Sequence, residues 1–251
     1  MGKIVAIGGG ENGHGKTKYE TGIIDKEIIC LTGKEKPNFL FIGLANLFAD
    51  RYYDVMKGIY AGLYGCNTDY LTNDEHKNIA VAKAKIQWAD IIYVGGGNTL
   101  KLMTNWRKYG IDKLMLDAYK ADKVLCGVSA GGICWCDYGN SDSRRFTSGS
   151  DKLIKVKGLG LVNVLFCPHI NTELNRREDL KRMMKTTYKI PAVAVDMGAL
   201  EIVDNQYRIL TIDESTTADK CYWKNGKYIC ESLIDNEFRP VEELYEKKGA
   251  L

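Results

Sequence analysis

Four short apolar runs, each closed by a tight turn and then by helical signals, constrain the fold of this chain most. They cover residues 3–7 (KIVAI, then Gly8-Gly9-Gly10), 38–43 (NFLFIG), 90–94 (DIIYV, then Gly95-Gly96-Gly97) and 123–128 (KVLCGV, then Ser129-Ala130-Gly131-Gly132). A run apolar at nearly every position, rather than at every second one, fits a strand covered on both faces. Repetition of such strands with intervening helices predicts βα units around a mostly parallel sheet with helices on both sides. Intervening helices are predicted over about 47–61, from a Thr72 cap with Glu75 three residues on to about 89, from Thr99, and over about 111–121.

The second half has a different texture. Residues 137–149 (DYGNSDSRRFTSG) are polar with no apolar period and read as a loop. A strand over 159–167 ends at Pro168-His169, and 173–188 form a charged amphipathic helix. Short strands follow at 192–196, 199–203, 207–211, 218–223 and 227–230, with Asp204-Asn205 and Asn225-Gly226 as turns; the second is a strong hairpin signal. A last helix is predicted at 241–248. With no Pro-, Gly- or Ser-rich divide and no internal repeat, residues 1–251 read as one domain.

Composition excludes more than it selects. The 35 basic and 32 acidic side chains leave a net +3 spread along the chain, with no basic stripe or recognition module, so no nucleic-acid partner is expected. No secretion signal or membrane-length apolar segment is found, which predicts a cytoplasmic protein without a membrane partner. Eight cysteines, several inside apolar runs, read as free core thiols. Cys134 and Cys136 lack the spacing of a zinc or redox knuckle, and histidines are limited to His14, His76 and His169, so no metal or cofactor is called for. His14 falls in a glycine-rich loop, and His76 reads as a surface residue early in a helix.

Ser129 stands between a buried strand and a helix with Gly127 and Gly131 around it, in the G-x-S-x-G form of a nucleophile elbow. Small neighbours let the backbone turn sharply and thrust the hydroxyl outward. YVGGGNT (93–99) ends another strand; Gly96, Gly97 and Asn98 are candidates for an oxyanion loop, with Ala130 as the elbow's own donor. Neither glycine run continues as a P-loop or fits a dinucleotide fingerprint. His169, at a strand's carboxyl end where open α/β sheets place their sites, is the candidate base. The acid that would orient it is left among Asp196, Glu201 and Asp142, in that order.

Three segments together, YVGGGNTLKLM, CGVSAGGICW and CPHINTELNRR, resemble the peptidase E family of serine peptidases, family S51, which includes cyanophycinase. The resemblance implies an α/β three-layer sandwich of flavodoxin-like or class I glutamine amidotransferase-like kind, here with antiparallel hairpins at its C-terminal end. It implies Ser129 as nucleophile, His169 as base, and hydrolysis of small peptides such as Asp-X dipeptides. Where the family carries its triad Glu, this chain reads VAVDMGAL with Met197 at that place. By the same resemblance Asp142 matches an Asp directed at substrate, and Arg144, Arg145, Arg176 and Arg177 are candidates to grip a substrate carboxylate. Another amide hydrolase of the same fold, or a non-catalytic binder of small molecules, are the alternatives. Monomer and homodimer are both open.

Overall fold

The computed structural model describes residues 2–13, 17–173 and 175–246; His14 and the last residues of the predicted C-terminal helix lie outside them. In chain order the first half runs β1 (Lys3–Ile7), α1 (Gly22–Cys30), β2 (Asn38–Ile42), α2 (Ala49–Lys57), a π-helical stretch (Gly58–Leu63) and β3 (Asn67–Leu71). It continues through α3 (Ile79–Trp88), β4 (Ile91–Val94), α4 (Thr99–Tyr109), α5 (Ile111–Lys120), β5 (Val124–Val128) and α6 (Ala130–Ile133). Then come β6 (Cys136–Ser141), α7 (Arg145–Ser148), β7 (Ile154–Lys157), β8 (Val162–Pro168) and α8 (Arg176–Met184). The chain closes with β9 (Ala192–Asp196), β10 (Gly198–Val203), β11 (Gln206–Thr211), β12 (Thr217–Lys224), β13 (Lys227–Ser232), β14 (Arg239–Pro240) and α9 (Val241–Tyr245).

Two mixed sheets, rather than one central sheet with appended hairpins, organise the described residues. The first has the order β14-β11-β10-β1-β5-β4-β2-β3, and the second β13-β12-β9-β8-β6-β7. The β1-β5-β4-β2-β3 block is parallel, as the apolar runs require, and β10, β11 and β14 extend it antiparallel. Alternate residues of β1 serve two cores. Ile4 and Ala6 pack with α3–α5, α6 and the second sheet, and Val5 and Ile7 with α1 and α2. The short helix α6 packs against β1, β5, β6 and β8. It is thereby wedged between the two sheets.

Several local expectations are corrected. The 137–149 segment is not a plain loop. Its first residues form β6, a strand whose Asn140 and Ser141 are buried because tertiary partners satisfy them: Arg176 donates to the Asn140 carbonyl at 2.9 Å, and Ser141 Oγ donates to Thr99 Oγ1 at 3.0 Å. The Thr72/Glu75 box closes reciprocally, at 3.0 and 3.2 Å, but over a three-residue 3-10 turn, Glu75–Lys77; Asn78 caps α3 instead. His76 is not a surface residue. That turn buries it edge-on against Tyr109, and burial lowers its pKa. The cysteines are not all free thiols, since Cys221 and Cys230 form a disulfide. The Asn225-Gly226 turn sets the register Lys224↔Lys227, which places Cys221 opposite Cys230. Among the described residues no helix is long and apolar enough to cross a membrane.

The first turn of α1 carries a buried carboxylate that forms no ion pair with any described residue. Asp25 accepts hydrogen bonds from Tyr60 Oη (2.7 Å), Thr21 Oγ1 (2.8 Å) and Tyr19 Oη (2.9 Å). Burial raises its pKa despite these three donors. A raised folded-state pKa means that stability is greatest below the ordinary carboxylate range and erodes as pH climbs through the folded value. Asp25→Asn is therefore expected to flatten the slope of unfolding free energy with pH above about pH 4; chemical denaturation at several pH values checks this.

Candidate active site

The carboxyl ends of the parallel strands converge on one cavity. It measures about 620 Å³ and is lined by Gly10, which follows β1, Asn46, which follows β2, Gly97, which follows β4, and Ser129, which follows β5. His169 enters it from the end of β8 in the second sheet. An open α/β sheet places ligands at this edge because diverging loops leave a crevice there. Its size is that of a small-ligand site.

Ser129 sits at the turn with φ +56° and ψ −108°, a conformation that costs a non-glycine residue on the order of 1–3 kcal/mol. Its N–H donates to the Ile7 carbonyl at 3.0 Å, and its carbonyl accepts from Gly132 (3.0 Å) and Ile133 (2.9 Å). The strain is held by these contacts to β1 and α6. The flanking glycines have a shared cause. A Cβ on Gly127 would stand 2.3 Å from the Val94 carbonyl oxygen, and one on Gly131 1.9 Å from the same atom. That oxygen is wedged between them, so the G-x-S-x-G spacing brings β4 up against the elbow.

His169 also has a left-handed backbone, φ +54°, and its N–H donates to the Gly8 carbonyl at 2.8 Å. Burial lowers its pKa and so does Arg176, against the opposing charges of Glu173, Asp196 and Asp142. The net effect favours the neutral imidazole. Ser129 and His169 share the cavity without a direct hydrogen bond, a gap that catalytic pairs commonly close when substrate binds.

The three candidate acids have different surroundings. Asp196 ends β9, is buried, and accepts the N–H groups of Asn171 and Thr172 at 2.8 Å each and that of Met197 at 3.1 Å. It thus fastens the turn that follows His169. A Cβ on Gly9 would lie 2.8 Å from Asp196 Oδ1 and 3.4 Å from His169 Nδ1, so both groups approach the same point beside that glycine. No hydrogen bond or ion pair joins the His169 ring to any described residue. Glu201 lies in β10 of the first sheet, where its carboxylate accepts from Arg208 Nε at 2.5 Å. Arg208 also pairs with Glu27, so Glu201 belongs to a different polar cluster. Asp142 lines a separate cavity of about 460 Å³ with Arg145, Asp151, Glu173 and Asp179.

The oxyanion and substrate candidates divide likewise. Gly96 stands beside Ser129, with a Cβ there 3.5 Å from Ser129 Cβ. Gly97, at φ +133°, lines the cavity, and a side chain on it would meet the Ala45 carbonyl at 2.4 Å. Ala130 is fully buried at the first position of α6, where an amide has no partner inside its own helix. Asn98 instead caps α4, its Oδ1 accepting from the Lys101 N–H at 2.9 Å. Arg176 is a fastener rather than a free guanidinium: only 1% exposed, it donates to the Asn140 carbonyl and twice to Glu173. Arg177 is held by Asn171 and Asp219, and Arg145 pairs with Asp151. Arg51, Phe48 and Tyr52 line the Ser129 cavity from α2 and the turn before it. They are not among the candidates read from the sequence, although LANLFADRYY follows an apolar strand and so reaches the same edge. Among the described residues no group of three or more His, Cys, Asp or Glu side chains is placed to hold a metal ion.

Comparison with known proteins agrees with this architecture. The family model "Peptidase family S51" matches residues 4–210. The chain is 28% identical over 207 residues to the "Uncharacterized peptidase YgaJ" of Bacillus subtilis (strain 168), covering 82% of this chain and 85% of that one. It is 30% identical over 132 residues to the "Uncharacterized peptidase Lin0382" of Listeria innocua serovar 6a, covering 52% and 59%. Its fold is similar to the crystal structure of a peptidase from an acI-B1 Actinobacterium, with a TM-score of 0.71 at 17% identity, over 95% of this chain and 96% of the other. With the elbow, the histidine and the match over most of its length, the chain belongs to peptidase family S51.

Proposed function

We propose that this protein is a serine peptidase that hydrolyses small peptides through an acyl-enzyme, with Ser129 as nucleophile, His169 as base and Asp196 as the orienting acid. The observation that carries this reading is the meeting of a strained Ser129 and of His169 in one cavity at the strand ends. In the first step Ser129 Oγ bonds to the scissile carbonyl carbon while His169 takes the hydroxyl proton. The amides of Gly97 and Ala130 are the candidate donors to the resulting oxyanion. Cleavage of the C–N bond releases the amine with the proton held by His169. Water, deprotonated by the same imidazole, then frees the acid. Asp-X dipeptides head the substrates to be assayed.

The pH profile tests the roles of His169 and Asp196. Because the His169 pKa is lowered, the base form persists to lower pH, and the acidic limb of kcat/KM is expected below the ordinary imidazole value of about 6.5. Asp196→Asn removes a charge that favours the imidazolium, so that limb moves to still lower pH while kcat falls by about 10²- to 10⁴-fold. A fall in kcat with an unmoved limb would leave Asp196 a purely structural fastener.

A non-catalytic binding site is the competing reading, favoured by the lack of a hydrogen bond from His169 to Ser129 or Asp196. Labelling by a fluorophosphonate probe, lost in Ser129→Ala, separates the two.

A further inference from the structure

The arginines expected to meet a substrate carboxylate are largely committed elsewhere: Arg176 to Asn140 and Glu173, Arg177 to Asn171 and Asp219, and Arg145 to Asp151. None of them lines the cavity of Ser129. One guanidinium does, that of Arg51 on the first turn of α2. We propose that Arg51 is the specificity-determining residue of this site and binds a carboxylate of the substrate. The inference rests on the cavity being the peptide site.

Arg51 is exposed and lies over the face of Phe48, 6.0 Å from the ring centroid. The attraction of a ring face for a cation at this range leaves the guanidinium N–H donors unused. No hydrogen bond or ion pair from the Arg51 side chain to a described residue occupies those donors. Glu11 lines the same cavity, and no ion pair joins it to Arg51. Asp25, behind Thr21, is pushed towards its neutral form by burial. A permanent positive charge thus borders a partly apolar crevice, where a planar fork of donors matches a carboxylate in charge and in bidentate geometry.

The carboxylate is either the free C-terminus of a short peptide or an acidic side chain. Peptide pairs differing in one group distinguish the sources: Asn-Ala against Asn-Ala-amide for the terminus, and Asp-Ala-amide against Asn-Ala-amide for the side chain. Dissociation constants are measured calorimetrically on Ser129→Ala, so that binding is read without turnover, and again with Arg51→Gln or Arg51→Lys added. At least one acid is expected to bind about tenfold to a hundredfold more tightly than its neutral partner. Arg51→Gln is expected to bring that ratio close to one, and Arg51→Lys to restore part of it. N-acetylation leaves the carboxylates alone, so it is expected to change affinity by the same factor whether or not Arg51→Gln is present. Equal binding of acid and neutral partners, no binding of any of these peptides, or a preference that survives Arg51→Gln overturns the proposal. So does an N-acetylation effect that depends on Arg51. Failure of wild-type Ser129 to react with a fluorophosphonate would instead overturn the catalytic reading and leave a measured carboxylate preference standing.

Discussion

Ser129→Ala is expected to lower peptide hydrolysis by about 10⁴-fold or more while the protein stays folded. The asymmetry follows from how the turn is built. Its backbone bonds, to the Ile7 carbonyl and from Gly132 and Ile133, do not involve the side chain, so alanine can keep them. Oγ alone is lost. Turnover and fluorophosphonate labelling should vanish together, and the unfolding midpoint should move little. A variant that kept wild-type turnover would remove Ser129 from the mechanism.

Gly131→Ala is expected to do the reverse damage, to the scaffold first. The new Cβ would stand 1.9 Å from the Val94 carbonyl oxygen. That atom belongs to a central strand paired on both sides, with β2 and β5, and cannot retreat as a side chain would. Either β4 or α6 must shift. The cost is on the order of 3 kcal/mol, a fall in unfolding midpoint of roughly 6–12 °C. Activity should fall as well, because the same displacement moves Ser129 against Gly96 and Gly97. Gly62→Ala is the matched comparison: a Cβ there meets nothing within 4 Å, and a gain of about 0.4–1 kcal/mol is expected from the stiffer unfolded chain. Thermal unfolding of the two variants side by side checks both statements.

The fold was legible where each constraint is local. Apolar runs closed by tight turns marked β1, β2, β4 and β5 of the parallel block, because strands buried on both faces need no alternation; the polar start of β3, Asn67-Thr68-Asp69, carries no such mark. The Asn225-Gly226 hairpin was legible too, but the disulfide it sets up was not: Cys221 and Cys230 read as free thiols until the register of β12 and β13 placed them opposite each other. The strand β6 was not, because its buried polar residues are made tolerable by Arg176 and Thr99, far away in the chain.

The candidate site divides along the same line. The elbow is written in the sequence, since Gly127, Ser129 and Gly131 carry its steric demands within a few residues. His169 is nominated there too, from one strand end. Which acid and which arginine stand near them depends on packing. Asp196 and Glu201 are five positions apart, yet β9 joins the second sheet and β10 the first. Asp196 therefore fastens the turn after His169, while Glu201 is drawn to Arg208. Arg176 lies seven residues from His169 but is consumed by buried acceptors, whereas Arg51, remote in sequence, lines the cavity with Ser129. A short turn is specified by the sterics of its own residues. The partner of a charge is specified by which sheets pack together, and that is a property of the whole chain.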